Sequence, residues 1–295
     1  VPNNPRYYTK ITTPTISGFA STTEGKYGLE QRIEDVRTLA GKNMTISFWA
    51  KSSTIGSVAV GYSRYYGGAG FNRDGTIIKT VGVGPNWQKY VLTTYVPPIP
   101  NGKAEQTDSD GYDNSFFAVS IFSQLRSGVL GNDTGSNIDL GGNSVLEVAQ
   151  VQVEEGARAT EFEILAPGAE LALAQRYYNK SLAPHLAPTT SGFPGKLSFF
   201  ERSINHSASV DITFPVEMRA TPACSLYGST GVENTVRFAQ FSSSNNGTLT
   251  GSATDVNVVS KLASHRCIHS FSIEDDGNVH YDVTAQCNYT ADAEL

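Results

Sequence analysis

Charge is scarce in this sequence. Charged residues make up 17% of it, against roughly 25% in ordinary globular domains. Gly, Ser, Thr and Asn take their place, and they favour turns and β-surfaces over solvated helices. The cations are also few: 22 Lys and Arg stand against 28 Asp and Glu, a net charge of −6. Lys and Arg form no cluster, so a nucleic-acid partner is not expected. An acidic chain has no electrostatic pull toward an anionic membrane. Apolar runs are short, and none approaches the roughly 20 residues of a membrane helix, so membrane insertion is not expected either.

Cysteine is nearly absent. Cys224, Cys267 and Cys287 are too few and too odd in number for a disulfide scaffold. Free thiols in a protein made in a reducing cytosol are the expectation. Val1–Lys10 is polar, with two prolines, and does not read as a signal peptide. A start at Val1 rather than Met suggests a fragment or a processed chain.

The compact sequence signatures of catalysis are missing as well. There is no nucleophile elbow, P-loop, His-Glu-x-x-His, Cys-x-x-Cys or dinucleotide-binding glycine pattern. Gly67–Gly70 is glycine-rich but precedes no helix, and a phosphate cradle needs a helix N-terminus behind it. No cofactor and no enzymatic activity are expected.

What is present is alternation. Met44–Ala50 puts Ile46 and Phe48 on one face, with Thr45 and Ser47 on the other, the period of a half-buried strand. Ser57–Tyr65 and Trp87–Val96 behave similarly. Ser115–Phe122 is more continuously apolar, like a strand buried on both faces. Val145–Val153 alternates with its odd positions apolar. Asp74-Gly75 and Asn101-Gly102 read as turns. This pattern predicts an all-β, jelly-roll-like sandwich over residues 1–165.

Residues 166–192 read as a helix and a linker. After Pro167-Gly168, Ala169–Lys180 is made of good helix formers. Leu173 and Tyr177 form a second apolar row beside Leu171, Ala174 and Tyr178, which predicts burial at a domain junction or a subunit interface. Residues 193–295 read as a second small β-sandwich. His265–Ile273 and Val279–Tyr289 read as a hairpin about Asp275-Asp276-Gly277, with Cys267 opposite Ala285.

Three groups carry candidate chemistry. Arg64, Tyr65 and Tyr66 precede the glycine run, and Tyr112 sits in a long polar loop. They are the candidate ligand contacts, because aromatic faces stack on sugars and anchor interfaces. His265, Cys267 and His269 share one strand face at i, i+2 and i+4 and could ligate zinc or iron. The same parity runs on into Phe271 and Ile273, so an ordinary half-buried strand reads better and no metal is favoured. Asp108, Asp110 and Asp113 gather in one loop, but Val119 stands where an EF-hand needs Glu, and a solvated loop is the simpler reading.

Several segments, taken in order, resemble the C-terminal region of bacteriophage tail fibres. Glu147–Gly156 with Ala159–Phe162 resembles the last strand and exit of a jelly-roll domain found there. Glu170–Tyr178 resembles the helix that follows, with Ala174 where the family commonly has Cys. Val210–Pro222 resembles the opening of the terminal β-domain, and Thr290–Leu295 resembles its last residues, so a true C-terminus is expected. Tyr27–Val36 and Met44–Lys51 resemble early jelly-roll strands. The resemblance implies a homotrimeric receptor-binding fibre tip in the virion, made in the bacterial host cytoplasm. Its implied partners are a host cell-surface glycan or other receptor and other phage tail proteins. A capsule depolymerase and a purely architectural tail protein are the rivals, and the stacked repeats of a long β-helix, expected for the first, are missing.

Overall fold

The structure, a computed structural model, describes residues 7–15, 25–67, 73–101, 115–126, 138–189, 197–201, 212–240, 242–243, 249–250, 253–264, 266–273 and 283–293. Among the described residues the chain is all-β with one short helix, and it divides into two compact units, residues 1–164 and 165–294.

Among the described residues of the first unit the strands are β1 (Thr9–Thr12), β2 (Lys26–Glu34), β3 (Lys42–Ser52), β4 (Gly56–Tyr65), β5 (Arg73–Val83), β6 (Gln88–Val96), β7 (Phe116–Leu125), β8 (Ile138–Asp139) and β9 (Val145–Glu155). They form two antiparallel sheets. One has the order β1-β9-β3-β6, and the other the order β2-β7-β4-β5 with β8 also on β7. Both sheets feed one core. Ile46, Phe48, Leu92 and Val148 come from the first, and Val60, Tyr62, Phe117 and Ile121 from the second. Stacked pairs lie inside it, Phe48 on Tyr90 and Tyr62 on Phe117, each with ring centroids 5.3 Å apart. This is a β-sandwich, held by apolar side chains worth roughly 1.5–3 kcal/mol each when fully buried.

Strand positions are close to those expected, but two face assignments are not. In β9 the core residues are Leu146 and Val148, not the odd positions, and only beyond Gln150 does Val153 turn inward. The cause is a bulge. Gln150 is left-handed, with φ 51°, and the register with β3 slips from Ser47↔Gln152 to Trp49↔Ala149. One extra residue exchanges the two faces of a strand. Thr45 and Ser47 were expected on a solvated face, yet both are buried. The chain after β9 folds back beside them: the Thr45 hydroxyl donates to the Gly156 carbonyl, and Gln152 bonds Thr160, Glu161 and Glu163.

Asp74-Gly75 is not a turn either. Both residues lie within β5, where Asp74 pairs with Arg64 and Gly75 with Ser63. The Arg64 guanidinium occupies the carboxylate that a turn would have used for its own backbone.

In the second unit α1 (Pro167–Gln175) is followed by β10 (Tyr178–Lys180), β11 (Leu197–Glu201), β12 (Ile212–Thr213), β13 (Ala223–Tyr227), β14 (Thr235–Gln240), β15 (Ser242–Ser243), β16 (Leu249–Thr250), β17 (Ala253–Ala263), β18 (Cys267–Ile273) and β19 (Val283–Asp292). The main sheet runs β10-β19-β14-β17-β18-β12, and β11 and β13 also pair with β19. Ile212 and Ile268 at one end share a core with Leu226, Tyr289 and Ala291 at the other. The sheet therefore closes over itself as a second, smaller sandwich.

The helix is shorter than expected and sits earlier. It starts on Pro167, whose fixed φ and missing N–H suit a first helical position. Its expected last turn is instead β10, hydrogen-bonded to β19 with Asn179 opposite Ala291. The expected hairpin is absent too. Strands β14 and β17 lie between β18 and β19, Cys267 pairs with Thr213, and Ala285 pairs with Phe199 and Phe238. Strand β19 has partners along both edges, which one hairpin could not supply.

Candidate functional site

Strand parity separates the three residues Arg64, Tyr65 and Tyr66. Arg64 and Tyr66 point inward. The Arg64 guanidinium grips Asp74 with two bonds, Nε to Oδ1 at 2.8 Å and Nη2 to Oδ2 at 2.7 Å. Its Nη1 donates to the carbonyls of Pro97 and Pro98 at 2.7 and 3.2 Å. Burial works against its charge, but Asp74 holds it a firmer cation than usual. The Tyr66 hydroxyl donates to Asp74 at 2.9 Å, and burial, then this bond, raises its phenol pKa. Arg64 is 4% exposed and Tyr66 is fully buried. Both were expected to touch ligand; they instead form an internal ionic cluster, because even-numbered positions of β4 face the core.

Tyr65 points the other way, onto the outer face of the five-stranded sheet. Its ring stacks on Phe116 of the neighbouring strand, centroids 4.9 Å apart and planes 25° apart. The Arg32 guanidinium lies 4.8 Å from the centre of the Phe116 ring. Arg32 in turn bonds Glu30 at 3.0 Å. One row of half-exposed side chains thus crosses three strands, cation on aromatic on aromatic.

The register places small residues beside this row. Arg32 is level with Ala118 and Ser63, and Glu30 with Ser120 and Gly61. Gly61 has no room for more: a Cβ there would come within 2.7 Å of the Thr76 carbonyl oxygen. The aromatic row therefore stands above a low floor. It offers ring edges, a guanidinium, a carboxylate and a phenol side by side, the mixture that fits a polyhydroxylated ligand with an apolar face.

Other candidates fall elsewhere. Tyr112 and the carboxylates Asp108, Asp110 and Asp113 lie outside the described residues, as does His265. Cys267 is half-buried on β18, and the side chain of His269 is outside the description. Among the described residues no three His, Cys, Asp or Glu side chains converge as metal ligands. Leu173 is 57% exposed and α1 buries no residue. Tyr177 lies beyond the helix, half-buried, its carbonyl accepting from Ala293 N–H. The two do not form the single row that a longer helix implied. Among the described residues no helix is long and apolar enough to cross a membrane.

Phe116, Arg32 and Glu30 escaped the sequence reading. Their parity was legible, but which strand lies beside β4 was not, and that pairing creates the stack.

No family model and no curated protein matches the chain. Among solved structures, one described by the words "CBM4 structure and function" is similar at 18% identity, covering 50% of this chain and 71% of its own, with TM-score 0.28. The N-terminal cellulose-binding domain of a Cellulomonas fimi β-1,4-glucanase C covers 52% of this chain and 80% of its own at 12% identity and TM-score 0.29. The CBM22-1–CBM22-2 tandem of Paenibacillus barcinonensis Xyn10C covers 98% and 84% at 11% identity, also with TM-score 0.29.

Proposed function

We propose that this protein is a non-enzymatic attachment protein of a bacteriophage tail fibre, and that its first unit holds a host-surface glycan. The observation that carries the glycan reading is the Arg32–Phe116–Tyr65 row on the outer face of the five-stranded sheet. Ring edges, a phenol and a guanidinium over a small-residue floor suit a sugar's C–H groups and its hydroxyls together. The tail-fibre setting rests on the order of resembling segments in the sequence. A shallow site of this kind binds weakly alone, and a homotrimer presenting several copies would gain strength by avidity.

Host-cell binding by the full chain tests this, with Tyr65→Ala and Phe116→Ala beside it. The expected result is binding that falls about tenfold in each variant, the loss typical of a truncated interface aromatic. Equal binding by all three proteins would remove this face as the site. Loss of polymer length on incubation with purified capsule would overturn the non-enzymatic reading.

A further inference from the structure

The opposite side of the first unit carries a second aromatic cluster, built from different strands. Trp87 directly precedes β6 and, continuing its register with β3, stands level with Lys51. The Lys51 Nζ lies 5.2 Å from the centre of the Trp87 ring. Tyr8, just ahead of β1, comes from the far edge of the same sheet. Its ring meets Trp87 edge to face, centroids 5.9 Å apart and planes 70° apart. Beneath them Lys51 pairs with Glu147, a carboxylate 14% exposed. Two aromatics thus lie across the sheet above one neutralised ion pair.

The cations around them are unusual for this chain. Lys10, Lys51 and Lys89 share the outer face with Trp49, Trp87 and Tyr8, because all project on the parity opposite to core residues Ile11, Phe48 and Tyr90. Glu147 offsets one lysine. Lys10 and Lys89 are exposed and make no ion pair among the described residues. Glu154, held ionised by bonds from the Thr160 hydroxyl and N–H, interacts with Lys89 and offsets part of its charge. In a chain of net charge −6, the lysines Lys10, Lys51 and Lys89 share this aromatic surface with the carboxylates Glu147 and Glu154, and Tyr8 is 52% exposed.

We propose that the Tyr8–Trp87 end of the outer face of the four-stranded sheet is a second binding site, for a carboxylate-bearing polysaccharide. Pyranose rings stack on Tyr8 and Trp87, and Lys10 and Lys89 receive the carboxylates. Lys10 and Lys89 lie on the two edge strands, three inter-strand spacings and a two-residue offset apart, about 16 Å between backbones. That span takes more than one sugar, so an acidic polymer suits it better than an acidic monosaccharide. Two faces on one sandwich would let a single unit engage two strands of a capsule, or two stretches of one.

Affinity electrophoresis of the full chain through gels containing polygalacturonate tests the site, with a neutral glucan and poly-glutamate as comparison polymers. Polygalacturonate is expected to retard the protein most, and added salt should weaken the retardation. Trp87→Ala should reduce it about tenfold, as for other interface aromatics. The double variant Lys10→Gln/Lys89→Gln changes only exposed side chains and keeps the fold in play. It should lose most of the retardation while melting like the parent. Equal retardation by poly-glutamate would overturn the proposal, since any polyanion would then suffice. So would unchanged retardation of both variants, or none at low salt. Tyr65→Ala, run in parallel, separates the two faces. If it alone weakens polygalacturonate binding, the second site fails while the first reading stands.

Discussion

Arg64 and Asp74 sit directly opposite one another on β4 and β5, and their side chains close a two-bond ion pair that also holds Tyr66 and the carbonyls of Pro97 and Pro98. The cluster ties β4 to its neighbour β5, 10 residues on, and to the Pro97-Pro98 segment beyond β6. It also fixes which way Tyr65 points. With Arg64 anchored inward, its neighbour must face out.

Removing Arg64 leaves the largely buried Asp74 carboxylate with the Tyr66 hydroxyl and, among the described residues, no cation. Arg64→Ala should destabilise the first unit by about 3 kcal/mol. Arg64→Lys should recover only part, because an ammonium cannot reproduce the paired geometry of a guanidinium. Both tryptophans, Trp49 and Trp87, lie in this unit, so urea unfolding followed by tryptophan fluorescence reads it selectively. A loss under 1 kcal/mol for Arg64→Ala would show that the cluster is not under tension from burial.

The second unit should show its own alkaline signature. Burial lifts the Cys287 thiol from 9.0 to about 12. A raised folded value means the fold prefers the protonated thiol. That contribution is complete below pH 9 and is lost as pH climbs from 9 to 12. The expected slope is about 1.4 kcal/mol per pH unit for one group. Cys287→Ala should flatten the fall by that amount, while Tyr289, raised in the same sense by burial and then by Cys224, keeps its share. Urea titrations read by far-UV circular dichroism at pH 8 to 11 measure it.

Thiol labelling should follow exposure. Cys267 is half-buried, whereas Cys224 and Cys287 are buried. One equivalent of an aromatic disulfide reagent should react with native protein, and the other two thiols only on unfolding. Two fast thiols would contradict the packing around β19.

Asn288 has no exposed surface, and among the described residues neither its amide nitrogen nor its amide oxygen finds a hydrogen-bond partner. An unpaired buried polar group costs about 1–3 kcal/mol. Asn288→Leu should therefore hold or raise the second unit's melting temperature. A drop of several degrees would mean that the amide is satisfied in solution by water.

Leu171 and Leu173 are exposed on a helix with no buried residue. Leu173→Glu should leave the melting temperature unchanged, as surface substitutions do. If copies of the chain assemble through α1, the same variant should reduce the mass measured by light scattering. An unchanged mass would place any assembly elsewhere.

Much of the fold was legible because strands announce themselves locally. The alternation at Met44–Ala50 and the doubly apolar run at Ser115–Phe122 led to β3 and β7 nearly in place. Tyr65 was legible as a strand residue beside an aromatic neighbour. Arg64 and Tyr66 were legible only as chemistry. Whether an arginine meets a sugar or an internal aspartate depends on which strand lies next to it, and a period of two says nothing about that.

By itself, the sequence determined that the chain is β-built and poor in charge, with strands close to their observed positions. Alternation and turn residues act over a few positions, and those are what one chain segment contains. Tertiary structure decided the rest. A single left-handed residue at Gln150 exchanged the faces of β9, and partners along both edges of β19 displaced the expected hairpin. The same is true of the outward stack at Tyr65. Its partners, Phe116 and Arg32, are 51 and 33 residues away in the numbering, and only the order of strands in the sheet brings the three together.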